Sequence, residues 1–187
     1  MPKFTSSRKL KTYIIKTERL GLRNWIESDV IPFETMCQDP EVMRYFPNTL
    51  TKKEVQVSVD NFRKHCDDFG YTYFAVDELS TGNFIGFTGL KLQIFESEYT
   101  PSVDIGWRLM RAVWGKGYAT EAAQACMDAA FNRFNLKEVY SYCPDLNKAS
   151  EGIMKKIGME LIGTFTHPMV ASDSRLKHCL VYKKSRA

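Results

Sequence analysis

The segment Trp114-Gly115-Lys116-Gly117-Tyr118-Ala119-Thr120-Glu121-Ala122 decides the fold, because two glycines here join a predicted strand (102–110) to a predicted helix (118–133). Glycine adopts backbone conformations that are closed to other residues, so successive N–H groups can converge on one point. The helix that follows directs its free N–H groups and the positive end of its dipole toward the same point. This corner of the chain therefore predicts an anion site, most often one for a phosphate.

Residue spacing excludes two common phosphate-binding motifs. A P-loop requires two glycines separated by four residues and followed by Lys and Ser or Thr, and the sequence contains no such run. A dinucleotide fingerprint requires Gly or Ala three residues after its second glycine, and Thr120 occupies that position. What remains is a strand, a short glycine turn and a long helix, with a second signature downstream at Asn147-Lys148-Ala149-Ser150.

Length and composition favour one globular domain. A chain of 187 residues suits a single well-buried core, so we expect one domain over residues 1–187, with residues 1–12 forming a flexible N-terminal extension. A hydrophobic content of 44% excludes a largely disordered chain. The net charge of +4 is scattered along the sequence, so no nucleic-acid partner is expected.

The cysteines and the N-terminal residues favour a cytoplasmic protein. The five cysteines are far apart and show no Cys-x-x-Cys or Cys/His ligand spacing, so we expect reduced thiols and no metal site. The charged N-terminus has no apolar run behind it, so we expect no signal peptide. No window approaches the ~18–20 apolar residues of a membrane span, so no membrane partner is expected.

Periodicity and turn residues predict an α+β domain with a mixed sheet. Helices are predicted where apolar residues recur at helical spacing after capping residues, and strands where apolar residues alternate or form β-rich runs. The predicted strands are 13–25, 71–77, 84–92, 102–110, 137–142, 161–166 and 178–183, and the predicted helices are 28–39, 51–68, 118–133 and 148–157.

Five segments carry a resemblance to a known family: 17–23, 39–46, 85–90, 111–122 and 147–159. They resemble the GNAT N-acetyltransferases, in particular the ribosomal-protein alanine acetyltransferase-like (RimJ/RimL) branch. The resemblance implies a GNAT fold, with a central mixed, mostly antiparallel, twisted sheet of about seven strands flanked by about four helices. Ala112 departs from the pattern, because many relatives have Gln or Arg at that position.

The resemblance implies acetyl-CoA as cosubstrate and assigns residues to it. The residues before the glycine turn would line the pantetheine arm through their backbones, and those of the turn would hold the pyrophosphate. The asparagine of the downstream signature would fix its own turn and reach the arm of the cofactor. The first set is Leu109, Met110 and Arg111; the second is Gly115, Lys116, Gly117, Tyr118, Ala119 and Thr120; the asparagine is Asn147.

Acetyl transfer to an amine requires a base and benefits from an acid. Asp104 is the candidate base, because it faces away from the apolar side of its strand and matches the position of a base carboxylate in the family; the alternative is a solvent-facing Asp. Many relatives use a tyrosine acid where Met154 stands here, and Ser150 matches the serine that the RimJ/RimL branch offers instead. The alternative for Ser150 is an early helix residue or a helix cap. Lone histidines such as His167 and His178 are more often structural than catalytic.

The resulting hypothesis is an acyltransferase that moves an acetyl group from acetyl-CoA to a primary amine by direct attack in a ternary complex. The acceptor is either a protein N-terminus or a small-molecule amine. A homodimer is a possible assembly, since relatives often pair. The alternative hypothesis is a CoA-binding regulatory or interaction protein of the same fold without turnover. A nucleic-acid-binding domain is a third class, and no cluster of aromatic and basic residues supports it.

Overall fold

The computed structural model describes residues 11–171 and 174–186, and its centre is one eight-stranded sheet. Neighbouring strands are antiparallel except for one parallel pair, β5 with β6, and the order across the sheet is β1-β2-β3-β4-β5-β6-β8-β7. The strands are β1 (Ile15–Lys16), β2 (Leu20–Arg23), β3 (Tyr73–Glu78), β4 (Asn83–Gln93), β5 (Ser102–Leu109), β6 (Glu138–Pro144), β7 (Glu160–Thr166) and β8 (His178–Ser185).

Five α-helices and two short 3₁₀ turns accompany the sheet in the described part of the chain. The helices are α1 (Val30–Gln38), α2 (Pro40–Met43), α3 (Lys52–Phe69), α4 (Tyr118–Asn132) and α5 (Lys148–Lys156), and the 3₁₀ turns are Glu27–Asp29 and Arg111–Val113. The α+β class and the mostly antiparallel sheet are confirmed. The additional helix, α2, begins at Pro40, where the missing N–H and fixed φ of proline suit the first helical position.

The additional strand arises because the predicted strand 13–25 is wrong as a single element. Thr17 ends β1 by a turn: its N–H donates to the Leu20 carbonyl at 2.9 Å, and its hydroxyl accepts from the Leu20 N–H at 2.9 Å. The chain then folds back, so that Ile15 pairs with Leu22 in an antiparallel hairpin. The alternating residue pattern continues through this turn, so the sequence did not indicate that the strand is interrupted there. Residues 1–10 of the expected N-terminal extension lie outside the described residues.

The sheet separates two apolar cores. Helix α4 packs against β4 and β5 on one face, where Ile105 and Leu109 contribute buried side chains. Helices α1 and α3 cover the other face with a cluster of aromatic rings that includes Trp25, Phe33 and Phe87. Since side chains alternate along a strand, the residues of β5 next to Ile105 point toward the α1/α3 face. Asp104 is therefore placed on that second face.

Arg23 organises a buried ion network at the edge of the aromatic core. Its guanidinium lies 2.7 Å from an oxygen of Asp29 and 2.8 Å from an oxygen of Asp77, and all three side chains are almost completely buried. Lys11 adds an ion pair to Asp77 at 2.8 Å. Four hydrogen bonds satisfy the Arg23 fork on both carboxylates. This network joins β2 and β3 to the beginning of α1.

His65 ties the end of α3 to the sheet in one protonation state. Its Nδ1 lies 2.8 Å from the Tyr71 carbonyl, and its Nε2 lies 3.1 Å from the Leu92 amide nitrogen. A carbonyl can only accept and an amide N–H can only donate, so the ring must be neutral with its proton on Nδ1. Burial lowers the pKa of His65, in agreement with this geometry. None of the described helices is both long and apolar enough to cross a membrane.

Candidate active site

A wedge opens between the parallel strands β5 and β6. Their ladder has one registered pair, Asp104 with Tyr140, after which the strands diverge. The Ser141 hydroxyl donates to the Ile105 carbonyl at 2.9 Å and closes the narrow end of the wedge. Beyond this contact, the facing backbones no longer form a ladder. A narrow ligand arm can therefore enter between two strands of one sheet and find unpaired peptide groups.

Leu109 directs its backbone into this wedge. The Met110 N–H donates to the Ile85 carbonyl at 2.9 Å, so Met110 faces β4 and its neighbour Leu109 faces the opposite way, toward β6. The Trp114 indole N–H donates to the Leu109 carbonyl at 2.8 Å, which leaves the Leu109 N–H as the group offered to the wedge. This is the geometry of a backbone donor for an acyl oxygen.

The N-terminus of α4 closes the wide end of the wedge. Gly115 and Gly117 have φ values of 77° and 79°, in the left-handed region that favours glycine. The first bond within the helix runs from the Glu121 N–H to the Gly117 carbonyl at 3.0 Å. The N–H groups of residues 118–120 consequently have no helical partner and point out of the helix end. Such a terminus suits a phosphate.

Arg19 braces the glycine turn from outside, a role that the sequence did not reveal. Its guanidinium donates to the Lys116 carbonyl at 3.0 Å and to a carboxylate oxygen of Glu121 at 2.6 Å. The same group lies 4.6 Å from the centre of the Tyr118 ring. These contacts hold the turn against the first turn of α4 and leave its amide groups free for a ligand.

One cavity of about 860 Å³ contains most of the predicted site residues. Its volume lies within the range that is usual for small-molecule sites. Both candidate catalytic residues line it, together with most of those expected to hold the cofactor. The predicted residues in its lining are Asp104, Leu109, Gly115, Gly117, Tyr118, Ala119, Thr120, Asn147 and Ser150.

Three predicted cofactor residues do not contribute to this lining. Met110 uses its N–H in the sheet, and its side chain packs against both apolar cores. Arg111 begins the 3₁₀ turn and lines a smaller surface depression beside α1. The Lys116 side chain points outward, with its ammonium 5.8 Å from the centre of the Tyr118 ring. The structure therefore brings nine of the twelve predicted residues together around the cavity.

Asp104 is a buried carboxylate at the junction of the wedge and the α1/α3 face. Its exposed fraction is 7%. The Tyr73 hydroxyl lies 2.7 Å from each of its oxygens, and the Gln93 amide donates to Oδ1 at 3.0 Å. Burial raises the pKa of Asp104 to about 6, although both hydrogen bonds act in the opposite direction. The carboxylate is thus mainly ionised at neutral pH, and its pKa is close enough to pH 7 for it to accept a proton.

Tyr73 and Gln93 were missed as partners of Asp104 at the sequence level. Tyr73 lies on β3 and Gln93 on β4, so the contact depends on the register of three strands. The aromatic run around Tyr73 was a signal for the acceptor side of the site, but it does not indicate which ring reaches the carboxylate. Burial and the neighbouring Asp104 raise the pKa of Tyr73 well above its ordinary value, so its hydroxyl stays protonated and donates.

Ser150 and Asn147 lie together at the beginning of α5. The Asn147 side-chain oxygen accepts from the Ser150 N–H at 3.2 Å, so Asn147 caps the helix. Ser150 is therefore not the cap, and its hydroxyl has no hydrogen-bond partner among residues 11–171 and 174–186. Both residues line the cavity. Met154, at the position of the usual tyrosine acid, also borders the cavity, but its thioether offers no acidic proton and packs in the α4 core.

The histidines differ in position. His167 lines the cavity, packs 4.8 Å from the Phe95 ring centre and accepts from the Met169 N–H at 3.2 Å. Burial lowers its pKa. His178 is exposed and lies outside the cavity lining. No group of three or more metal-ligating side chains occurs among the residues that the structure describes.

Comparison with known proteins agrees with this geometry. A family model described as an acetyltransferase (GNAT) domain matches residues 19–160. An uncharacterized N-acetyltransferase of Bacillus subtilis, YnaD, is 30% identical over 151 residues, which cover 81% of this chain and 85% of that protein.

Solved structures share the fold. The GNAT-family acetyltransferase from Bacillus anthracis superposes with a TM-score of 0.76 at 25% identity, covering 91% of this chain and 97% of that one. RimL, a ribosomal L7/L12 alpha-N-protein acetyltransferase solved with coenzyme A, gives a TM-score of 0.74 at 16% identity over 90% of this chain and 95% of that one. At that identity the likeness concerns the fold.

Proposed function

This chain belongs to the GNAT acetyltransferase family, and from that premise we propose that it transfers an acetyl group from acetyl-CoA to a primary amine by direct attack in a ternary complex. The observation that carries the proposal is the wedge between β5 and β6, which has a helix terminus with free N–H groups at one end and the buried carboxylate of Asp104 at the other.

The glycine turn and the N-terminus of α4 fit a CoA-type ligand. The free N–H groups of residues 118–120, with Gly115 and Gly117 in left-handed conformations, can hold the pyrophosphate without a side chain in the way. Leu109 and Asn147 line the same cavity, where the Leu109 N–H and the side chain of Asn147 would contact the pantetheine arm. Met110, Arg111 and Lys116 remain proposed backbone or charge contacts outside the cavity lining. When bound, acetyl-CoA supplies the thioester that an amine can attack.

Asp104 is the proposed base. An amine is mostly protonated at neutral pH and must lose that proton before it can attack. The ionised Asp104 carboxylate, held by Tyr73 and Gln93, can take the proton directly or through one water molecule. Because burial raises its pKa to about 6, Asp104 is a better proton acceptor than an exposed aspartate.

Ser150 is the proposed acid, and the Leu109 N–H is the proposed donor to the carbonyl oxygen. The free hydroxyl of Ser150 can donate to the departing thiolate. A covalent route through cysteine is disfavoured, since burial raises the pKa of the cavity-lining Cys143 to about 12 and that of Cys179 to about 11. Thiols with such pKa values are not nucleophilic near neutral pH.

The test is CoA release from acetyl-CoA with a panel of polyamines, amino acids and peptides with free N-termini. We expect turnover with at least one class, and Asp104→Asn should lower kcat by about 10²-fold or more while acetyl-CoA affinity is retained. Asp128→Asn, an exposed position on α4, is the matched control and should behave as wild type. Acetyl-CoA binding without turnover on any amine would instead indicate a CoA-binding protein.

A further inference from the structure

Arg108 on β5 is a cation of the cavity lining without a carboxylate partner among the described residues. Its Nη1 donates to the Cys37 sulfur at 3.4 Å, and its Nε is buried without any hydrogen bond. Buried guanidinium groups are normally paired with acids, as Arg23 is with two carboxylates in this molecule. Arg108 thus retains donor capacity beside a cavity.

The neighbours of Arg108 do not neutralise it. Its guanidinium carbon lies 3.8 Å from the centre of the Phe46 ring and 5.4 Å from that of Phe87. Ring faces attract the cation but cannot accept its in-plane N–H bonds. Burial raises the pKa of the Cys37 thiol, which therefore stays neutral, and burial lowers the pKa of Arg108. The lowered pKa of Arg108 reflects a positive charge that is largely removed from water without an anion beside it.

Arg108 and Asp104 mark two ends of one surface. They lie four residues apart on the same face of β5, about 13 Å between their Cα atoms at the usual strand rise. Gly106 lies between them, and a Cβ there would approach the Tyr73 hydroxyl to 3.0 Å. The Tyr73 ring stacks on Phe87 at 5.3 Å between ring centres. The floor between the carboxylate and the guanidinium is therefore aromatic.

The remaining charges do not provide another counter-ion. Of the described acidic residues, Asp104 and Glu41 line the cavity. Glu41 is paired with Arg44 at 3.3 Å on the partly exposed rim. Asp104 is occupied by Tyr73 and Gln93. An anion for Arg108 must consequently come with the ligand.

We propose that the acceptor is a primary amine that also carries a carboxylate, with an apolar or aromatic body between the two groups. The amine lies at Asp104, the body lies over Tyr73 and Phe87, and the carboxylate pairs with the guanidinium of Arg108, whose planar fork matches it. This inference rests on the proposed function. It disfavours polyamines, because their second cationic end would meet Arg108.

The test compares two acceptors of the same shape, 4-(aminomethyl)benzoate and its methyl ester. We expect the kcat/KM of wild type for the carboxylate to exceed that for the ester by roughly tenfold or more, since a charge-assisted pair is lost in the ester. Arg108→Gln should bring the ratio to about one, and Arg108→Lys should retain part of it. Arg44→Gln removes the same charge from the rim and should leave the ratio unchanged.

The two proposals fail in different ways. If amines are acetylated but wild type shows no preference for the carboxylate, or if Arg108→Gln keeps the preference, the inference about Arg108 is wrong and the transferase proposal stands. If no amine is acetylated although acetyl-CoA binds, the transferase proposal fails. In that case the Arg108 site is tested by calorimetry, which compares the affinity of the carboxylate with that of the ester for the wild-type protein in complex with CoA. This comparison needs no variant, so it also applies if the Arg108 variants do not fold.

Discussion

Replacing Tyr73 by Phe should shift the acid limb of the pH–rate profile, because Tyr73 stabilises the ionised form of Asp104. The substitution keeps the ring that stacks on Phe87 and removes only the hydroxyl, 2.7 Å from each carboxylate oxygen. Gln93 remains as the second donor to Asp104. The pKa of Asp104 should therefore rise above its wild-type value of about 6.

The size of this shift follows from the hydrogen bond that is lost. A hydrogen bond to a charged group contributes ~1.5–3 kcal/mol, and one pKa unit corresponds to ~1.4 kcal/mol. Loss of the Tyr73 hydroxyl should raise the pKa of Asp104 by roughly one unit or more. The ionised fraction at pH near 6 then falls from about one half to about one tenth, which lowers the rate about fivefold. Above about pH 8 the loss should be less than twofold.

The assay is kcat/KM for one amine acceptor from about pH 5 to about pH 9, followed by CoA release. Because ionised Asp104 takes the proton of the bound ammonium, kcat/KM should rise with a slope of one below the pKa of Asp104 and have a slope near zero between that pKa and the pKa of the amine. The break between the two slopes reports the pKa of Asp104. Tyr71→Phe is the matched control, since Tyr71 lies two residues away and packs in the α4 core.

Three results would refute this reasoning. One is a Tyr73→Phe enzyme whose break lies at the wild-type pH, which would mean that the hydroxyl does not act on the titrating group. Another is an equal shift in Tyr71→Phe, which would indicate a general effect on the fold. A break that persists in Asp104→Asn would assign the titration to another residue.

Three further sets of substitutions distinguish effects on ligand binding from effects on the stability of the fold. Gly117 and Gly70 have φ values of 79° and 77°, so Gly117→Ala and Gly70→Ala should each lose ~1–2 kcal/mol of unfolding free energy. Only Gly117→Ala should also weaken acetyl-CoA binding in a calorimetric titration. Arg23→Gln should lose ~3–5 kcal/mol in urea unfolding, because the buried carboxylate of Asp29 loses its cation and that of Asp77 retains only Lys11. Arg63→Gln, in a surface pair, should lose less than ~1 kcal/mol. His65 has a lowered folded-state pKa, so the unfolded chain binds the proton more readily and the contribution of His65 to stability should fall as pH drops below 6.5. The raised pKa of Asp104 acts in the opposite direction below about 6, so the measurement is the difference in urea midpoint between wild type and His65→Gln; a difference that does not change with pH would contradict the prediction.

Local sequence signals predicted the elements that line the proposed cofactor site. The glycines of the turn, Gly115 and Gly117, both adopt left-handed conformations before α4. Thr51 and Glu54 form a capping box at the beginning of α3, where the helix 51–68 was predicted to start. These features are encoded within a few residues, because a turn or a cap depends on the conformations that its own side chains allow.

Contacts between residues on different strands could not be predicted from local sequence signals. Asp104 was predicted to face away from the apolar side of its strand, and alternation along β5 does place it opposite Ile105. Alternation did not indicate that this second face is also covered, by the aromatic core. Its partner Tyr73 lies 31 residues earlier, and their contact requires the registers of β3 with β4 and of β4 with β5. Arg108 lacks a carboxylate partner because its neighbours are Cys37 of α1 and Phe46 of the segment before α3. No local sequence pattern indicates these contacts.

The most direct test of the central claim is calorimetric titration of acetyl-CoA into the wild-type protein and into Gly117→Trp, with NAD as the control ligand. We expect saturable binding of one acetyl-CoA by wild type, no binding of NAD, and loss of acetyl-CoA binding in Gly117→Trp, since an indole at the N-cap of α4 blocks the free N–H groups of residues 118–120. Equal acetyl-CoA affinity in the two proteins, or no binding by wild type, would contradict the assignment of the wedge and the α4 terminus as the cofactor site.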